Sequence, residues 1–168
     1  MRPGVWRPRV EPSAAEEAVI RAVRRARLFV FLRRYRHELF DEDFQAELAR
    51  AYADSPKGQP PVPPARLALA TIVQAYTGAS DDEVIEATVM DRRWQLVLDC
   101  MGAERPPFSK GTLVGFRGRL TEADLDRRLV ERTVELAART GSSGRGRCGR
   151  RWTPRRCGAR AGWRTAAT

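Results

Sequence analysis

The chain has 168 residues, enough for one domain with a hydrophobic core, and no apolar run long enough to span a bilayer. The N-terminus, MRPGVWRPRVEPSAAEE, lacks the apolar centre and small-residue cleavage site of a secretory signal, so a cytoplasmic location is the expectation. The formal charge is +10, but residues 141–168 hold eight Arg and no acid, which leaves the first 140 residues near +2. A basic pI is therefore poor evidence for a basic folded face, although a nucleic-acid partner stays in view.

Residues 1–12 are Pro-containing and read as a flexible N-terminus. Ser13 and Glu16 then form a capping box, in which each side chain accepts an orphan backbone N–H of the first turn. Val19, Ile20, Val23, Leu28, Val30 and Phe31 drift around a helical face. The run LFVFLRRYRHELF is compatible with a short strand, but no second strand is available to pair with it, so helix is expected. Asp41 caps the next helix, whose Phe44, Leu48 and Tyr52 are spaced by four. The run DSPKGQPPVPP, residues 54–64, cannot continue a helix.

ARLALATIVQAY, residues 65–76, is the most apolar helix and should be central. Gly78 suits its C-terminal cap. Ser80 and Glu83 open a second capping box, and the helix runs on past Val84, Ile85 and Val89 towards Trp94 and Leu98. Helix, Gly turn and capped helix give a helix-turn-helix-like portion. Ser109 caps a further helix with Leu113, Phe116 and Leu120 on one face and Lys110, Arg117 and Arg119 as its bases. Thr121 and Asp124 have capping spacing for a last helix ending near Arg139. There Leu125, Leu129 and Leu136 form an a/d-like seam. The expected fold is all-α, a compact domain of five or six helices over residues 13–139, followed by a disordered Arg-rich tail, 140–168.

Chemistry is sparse. His37 is the sole histidine, and Cys100 is the sole cysteine of the patterned region, with no metal-ligand spacing. Cys100 reads as a small buried hydrophobe. The acid pairs Asp41/Asp43 and Asp81/Asp82 sit at helix starts, where capping accounts for them. No catalytic residue, metal ligand, resident cofactor or small-molecule site is assigned.

Four strings in order carry a resemblance: ELFDEDFQAELARAYA, GQPPVPPARLALATIVQAYTGASDDEVIEA, DRRWQLVLDCMG and PPFSKGTLVGFRGRL. Together they resemble the N-terminal helical, InsH-like domain of bacterial insertion-sequence DDE transposases, across residues 27–139. The resemblance implies a domain that binds transposon-end DNA and supports assembly, with a homo-oligomer as a further possibility and no membrane partner. In the full-length family an RNase H-like domain follows, whose acids hold divalent metal, Mg, for strand cleavage and transfer. Nothing after Arg139 resembles its first strand. If the helix opened by Ser109 lies in a groove, then Lys110, Thr112, Arg117 and Arg119 are the candidate DNA contacts; a core-facing helix with a polar back is the alternative. Two other functions fit the pattern: a stand-alone all-α DNA-binding regulator, or a non-DNA dimerisation module using the Leu125/Leu129/Leu136 seam.

The tail has its own explanation. RWTPRRCGARAGWRT, residues 151–165, combines Trp, Cys and Arg with no acid and no branched aliphatic residue. Trp has one codon and every Thr codon begins AC, so the Trp152–Thr153 junction spells GAC, an Asp codon, in another frame. With permitted third bases, that frame reads LDSSPLWGAGRVED, which resembles the stretch around the first catalytic Asp of these transposases. A frameshift near Thr140 is the expectation, making residues 140–168 out-of-frame translation and the chain a truncated, inactive fragment. The alternative is a basic arm that binds phosphates nonspecifically.

Overall fold

A computed structural model describes residues 3–52 and 61–141. Eight helices make up the regular structure of these residues, with no strand among them: α1 (Ala14–Ala22), α2 (Arg27–Leu39), α3 (Glu42–Arg50), α4 (Pro64–Thr77), α5 (Asp81–Met90), α6 (Arg92–Leu98), α7 (Lys110–Glu122) and α8 (Leu125–Arg139). The all-α expectation holds. The count exceeds the expected five or six because two expected helices are each divided.

The first division falls at Val23, whose extended backbone separates α1 from α2. Val19 on one side of the break and Phe29 on the other are both buried. The second falls at Asp91, which is extended and caps α6 by accepting from the Arg93 N–H at 2.8 Å. Trp94, Leu96, Val97 and Leu98 are then all buried on the short α6.

The capping signals are met at four helix starts. Ser13 and Glu16 close one box and Ser80 and Glu83 another, while Asp41 accepts from Phe44 N–H and Ser109 from Thr112 N–H. Gly78 caps α4 with φ +71°, in the left-handed region where a Cβ is costly. The expected Thr121/Asp124 box does not form. The Thr121 hydroxyl donates back to the Arg117 carbonyl inside α7, and Asp124 itself takes φ +54° to turn the chain into α8. The tight corner uses Asp124's backbone, so its side chain does not cap.

Helix α4 is the centre. Leu67, Ala68, Leu69, Ala70 and Val73 are completely buried, and α2, α3, α6 and α7 pack around it. Small Ala68 and Ala70 allow neighbouring helices to approach closely. Tyr76, expected on the apolar girth, is exposed and meets Phe29 edge-on. Cys100 is half-buried against the core rather than buried, and burial pushes its thiol pKa up, away from the reactive thiolate.

The seam on α8 requires a correction. Leu125, Leu129 and Leu136 are buried in the domain's own core, where α8 packs on α2 and α7. They offer no dimer face. The N-terminal segment expected to be flexible is non-helical but tied down: Trp6 is buried, its N–H donates to Gln45 Oε1 at 2.7 Å, and Gln45 Nε2 returns a bond to the Trp6 carbonyl. Of the expected tail, 140–168, residues 142–168 lie outside the described residues. No helix among the described residues is long and apolar enough to cross a membrane.

Candidate nucleic-acid interface

The four residues singled out on α7 do not converge. At about 100° per residue, Lys110 and Arg117 share one flank of the helix, and Thr112 and Arg119 the opposite one. Between them, the outward face carries Gly111, Val114 and Gly118. Each polar side chain is already engaged. Lys110 donates to Asp82 at 2.7 Å. Arg117 makes a two-pronged pair with Asp81, at 2.6 and 2.7 Å, and also donates to Gln74. Arg119 stacks over the Tyr52 ring, and the Thr112 hydroxyl meets Ser109 Oγ at 2.9 Å.

The Asp81 cluster explains why α7 sits where it does. Gln74 on α4, Asp81 on α5 and Arg117 on α7 join three helices through one carboxylate. The hydrogen bonds from Arg117 and then Gln74 bring the Asp81 carboxyl down from 3.8 to about 2. Asp81 therefore serves both the helix start and a tertiary clamp, whereas capping alone was expected to account for it. The local charge is unfavourable for phosphate: α5 and α7 together hold five acids against three bases. The turn at Gly78 does join two helices, but the second, α5, carries Asp81, Asp82, Glu83 and Glu86 and no base.

A second set of arginines, absent from the sequence reading, is internal. Arg33 is buried with Glu16, donating at 2.6 and 3.1 Å, and it also holds the carbonyls of Val10 and Glu11. Burial would raise the Glu16 carboxyl, but the bonds from Arg33 and Ser13 and the Arg33 charge outweigh it and bring the pKa from 4.5 to about 2. Arg36 donates to the carbonyls of Leu96 and Val97 and to Asp99 at 2.7 Å, capping the C-terminus of α6, where a cation is favoured. Their signal was present: Arg33 and Arg36 fall four and seven residues after Phe29, on its buried stripe.

The third set lies at the α1–α2 turn. Arg24, Arg25 and Arg27 are exposed, as are Arg34 on α2 and Arg92 at the start of α6. None of the five makes an ion pair or side-chain hydrogen bond with a described residue. Arg24, Arg25, Arg92 and Arg93 surround a depression of about 450 Å³ floored by alanine and valine. Of the flanking carboxylates, Glu17 is taken by Arg21, and Asp91 by Arg93 at 2.6 Å. On α8, by contrast, Arg127, Arg128, Arg132 and Arg139 each meet a carboxylate.

Among the described residues no group of three or more His, Cys, Asp or Glu is placed to hold a metal ion. The comparison with protein families decides the affiliation. The family described as "Transposase domain (DUF772)" matches residues 21–119, more than half of the chain. The chain belongs to this transposase-domain family. No curated protein and no solved structure matches it. The transposase-domain match runs from the last turn of α1 to Arg119 on α7. It contains all four α7 candidates and the five arginines Arg24, Arg25, Arg27, Arg34 and Arg92 that have no partner among the described residues, while α8 lies beyond it.

Proposed function

We propose that residues 13–139 form the N-terminal DNA-binding and assembly domain of an insertion-sequence DDE transposase, acting on transposon-end DNA. The observation that carries this reading is the transposase-domain match across α2 to α7. Lys110, Thr112, Arg117 and Arg119 are DNA contacts in this reading only where they can exchange an internal partner for a phosphate. Lys110 and Arg119 are exposed enough to do so, while Arg117 acts first as the clamp on Asp81. The helical domain binds and positions DNA and does not itself cut or join it; the family's metal-dependent strand transfer needs acids from its catalytic domain.

The proposal includes the tail. Residues 140–168 are out-of-frame translation following a frameshift, which makes this product inactive in transposition; their acid-free, Arg-, Trp- and Cys-containing composition supports it. Sequencing the coding DNA tests this: the second frame must continue with further acidic codons, and an early stop in that frame removes the idea. DNA recognition is tested by fluorescence anisotropy of the full chain on a short duplex from the DNA flanking the coding sequence, against a scrambled duplex of equal composition. Tighter binding to the flanking duplex is expected. Equal affinity for both, unchanged by salt, rejects recognition of transposon ends.

A further inference from the structure

The unpaired arginines ask for an anion. Three of them, Arg24, Arg25 and Arg27, lie within four residues of chain, and Arg92 lines the same depression as Arg24 and Arg25. Clustered like charges repel, and no carboxylate lines this depression. A groove of about 660 Å³ adjoins it, sharing Val23 in its wall, and adds Arg27 and Arg34 with no carboxylate of its own. The two concavities meet at Val23 and make up a basic track whose lining is mostly apolar, with Phe31 and Tyr35 beside alanine, valine and leucine. Apart from the hydroxyls of Tyr35 and Thr133, the lining between the arginines offers no side-chain donors or acceptors to read base edges, whereas guanidinium groups pair with phosphate in two-pronged fashion.

We propose that this α1–α2 track, with Arg24, Arg25, Arg27, Arg34 and Arg92, is the surface that grips the phosphate backbone of duplex DNA, and that α7 is secondary. The inference rests on the DNA-binding reading above and locates its main contact surface. The partner fits by charge: successive phosphates of a duplex present repeated negative charges, and the two adjoining concavities gather several guanidinium groups without a carboxylate. α7 lacks this quality, since Lys110 and Arg117 already neutralise acids of α5. The contact is one of position rather than sequence, so it supplies affinity and salt dependence more than specificity.

The test uses the full chain, so that the tail contributes equally to every variant. The triple variant Arg24→Ala/Arg25→Ala/Arg92→Ala is compared with the parent and with Arg127→Ala, which removes an equally exposed charge on α8. Binding to the flanking duplex is followed by anisotropy over a range of salt. The triple variant is expected to bind on the order of a hundredfold more weakly near physiological salt, with a log–log salt slope shallower by about 2–3. Arg127→Ala should change neither by as much as threefold, and the lysine triple variant should recover the slope. Thermal melting of the triple variant should match the parent, because Arg24, Arg25 and Arg92 bond no side chain among the described residues. A triple variant that binds DNA like the parent overturns the inference while leaving DNA binding intact. A triple variant that binds DNA normally but loses polyglutamate also overturns it, in favour of an acidic polypeptide partner. A parent chain that binds no better than a synthetic peptide of residues 142–168 overturns the DNA-binding reading itself.

Discussion

Helix α7 and the α1–α2 turn both look basic in one dimension, and they differ in three. On α7 the bases lie on flanks turned towards other elements, and Lys110, Arg117 and Arg119 each find a carboxylate or a ring. At the turn the arginines project from a corner, and those of Arg24, Arg25 and Arg27 find none among the described residues. A base whose charge is met internally stabilises the fold and is lost to a ligand. A base left unmet adds little to the fold and is available. Counting positive residues does not separate the two; partnership does.

The sharpest way to break this contrast is to remove an internal base. Arg33→Met strands the buried Glu16 carboxylate, and a loss of about 3–5 kcal/mol in urea unfolding is expected. A loss below about 1 kcal/mol would show that Arg33 is no more structural than the corner arginines.

Acid should reveal the same internal pairs. Glu16 and Asp81 both have carboxyls lowered to about 2 in the fold, so each stabilises it fully above the ordinary carboxylate range. That contribution fades as pH falls from about 4.5 through 2, because the unfolded chain takes up protons first. For Glu16 the depression corresponds to about 3 kcal/mol. The urea midpoint should fall steeply over that window in the parent and less steeply in Glu16→Gln. Parallel curves would remove Glu16 as a titrating clamp.

A smaller effect is expected from α7. Arg117→Ala should cost about 1–2 kcal/mol, as should Asp81→Asn, and the double variant should cost no more than the worse single. Simple additivity would mean the pair does not act as a unit. Smallest of all, Arg25→Ala should shift stability by less than about 0.5 kcal/mol, since its guanidinium has no described partner. A larger loss would place Arg25 with the structural bases and blunt the distinction between the two regions.

Much of the fold was legible along the chain. Ser13, Asp41, Ser80 and Ser109 announced their helices because a cap is a bond between residues three apart. Gly78 ended α4 for an equally local reason. The breaks at Val23 and Asp91 were not legible as breaks, because they answer to where neighbouring helices need apolar faces. The Leu125/Leu129/Leu136 seam had the right period, but period alone cannot say whether the covering surface is α2 and α7 or a second copy. The α7 candidates had the right residue types. Their spacing along the helix did not disclose that Asp81 and Asp82 would stand opposite them.

The sequence by itself determined the helical class, the caps at Ser13, Asp41, Ser80 and Ser109, the central place of α4 and the transposase resemblance, all of which rest on local bonds and short-period patterns. Only the tertiary structure decided which arginines are spent inside and which remain free. Arg33 reaches Glu16 across 17 residues and Arg117 reaches Asp81 across 36, while Arg24 and Arg25 reach no partner among the described residues. A charge acts over distance in space, and the sequence records only distance along the chain.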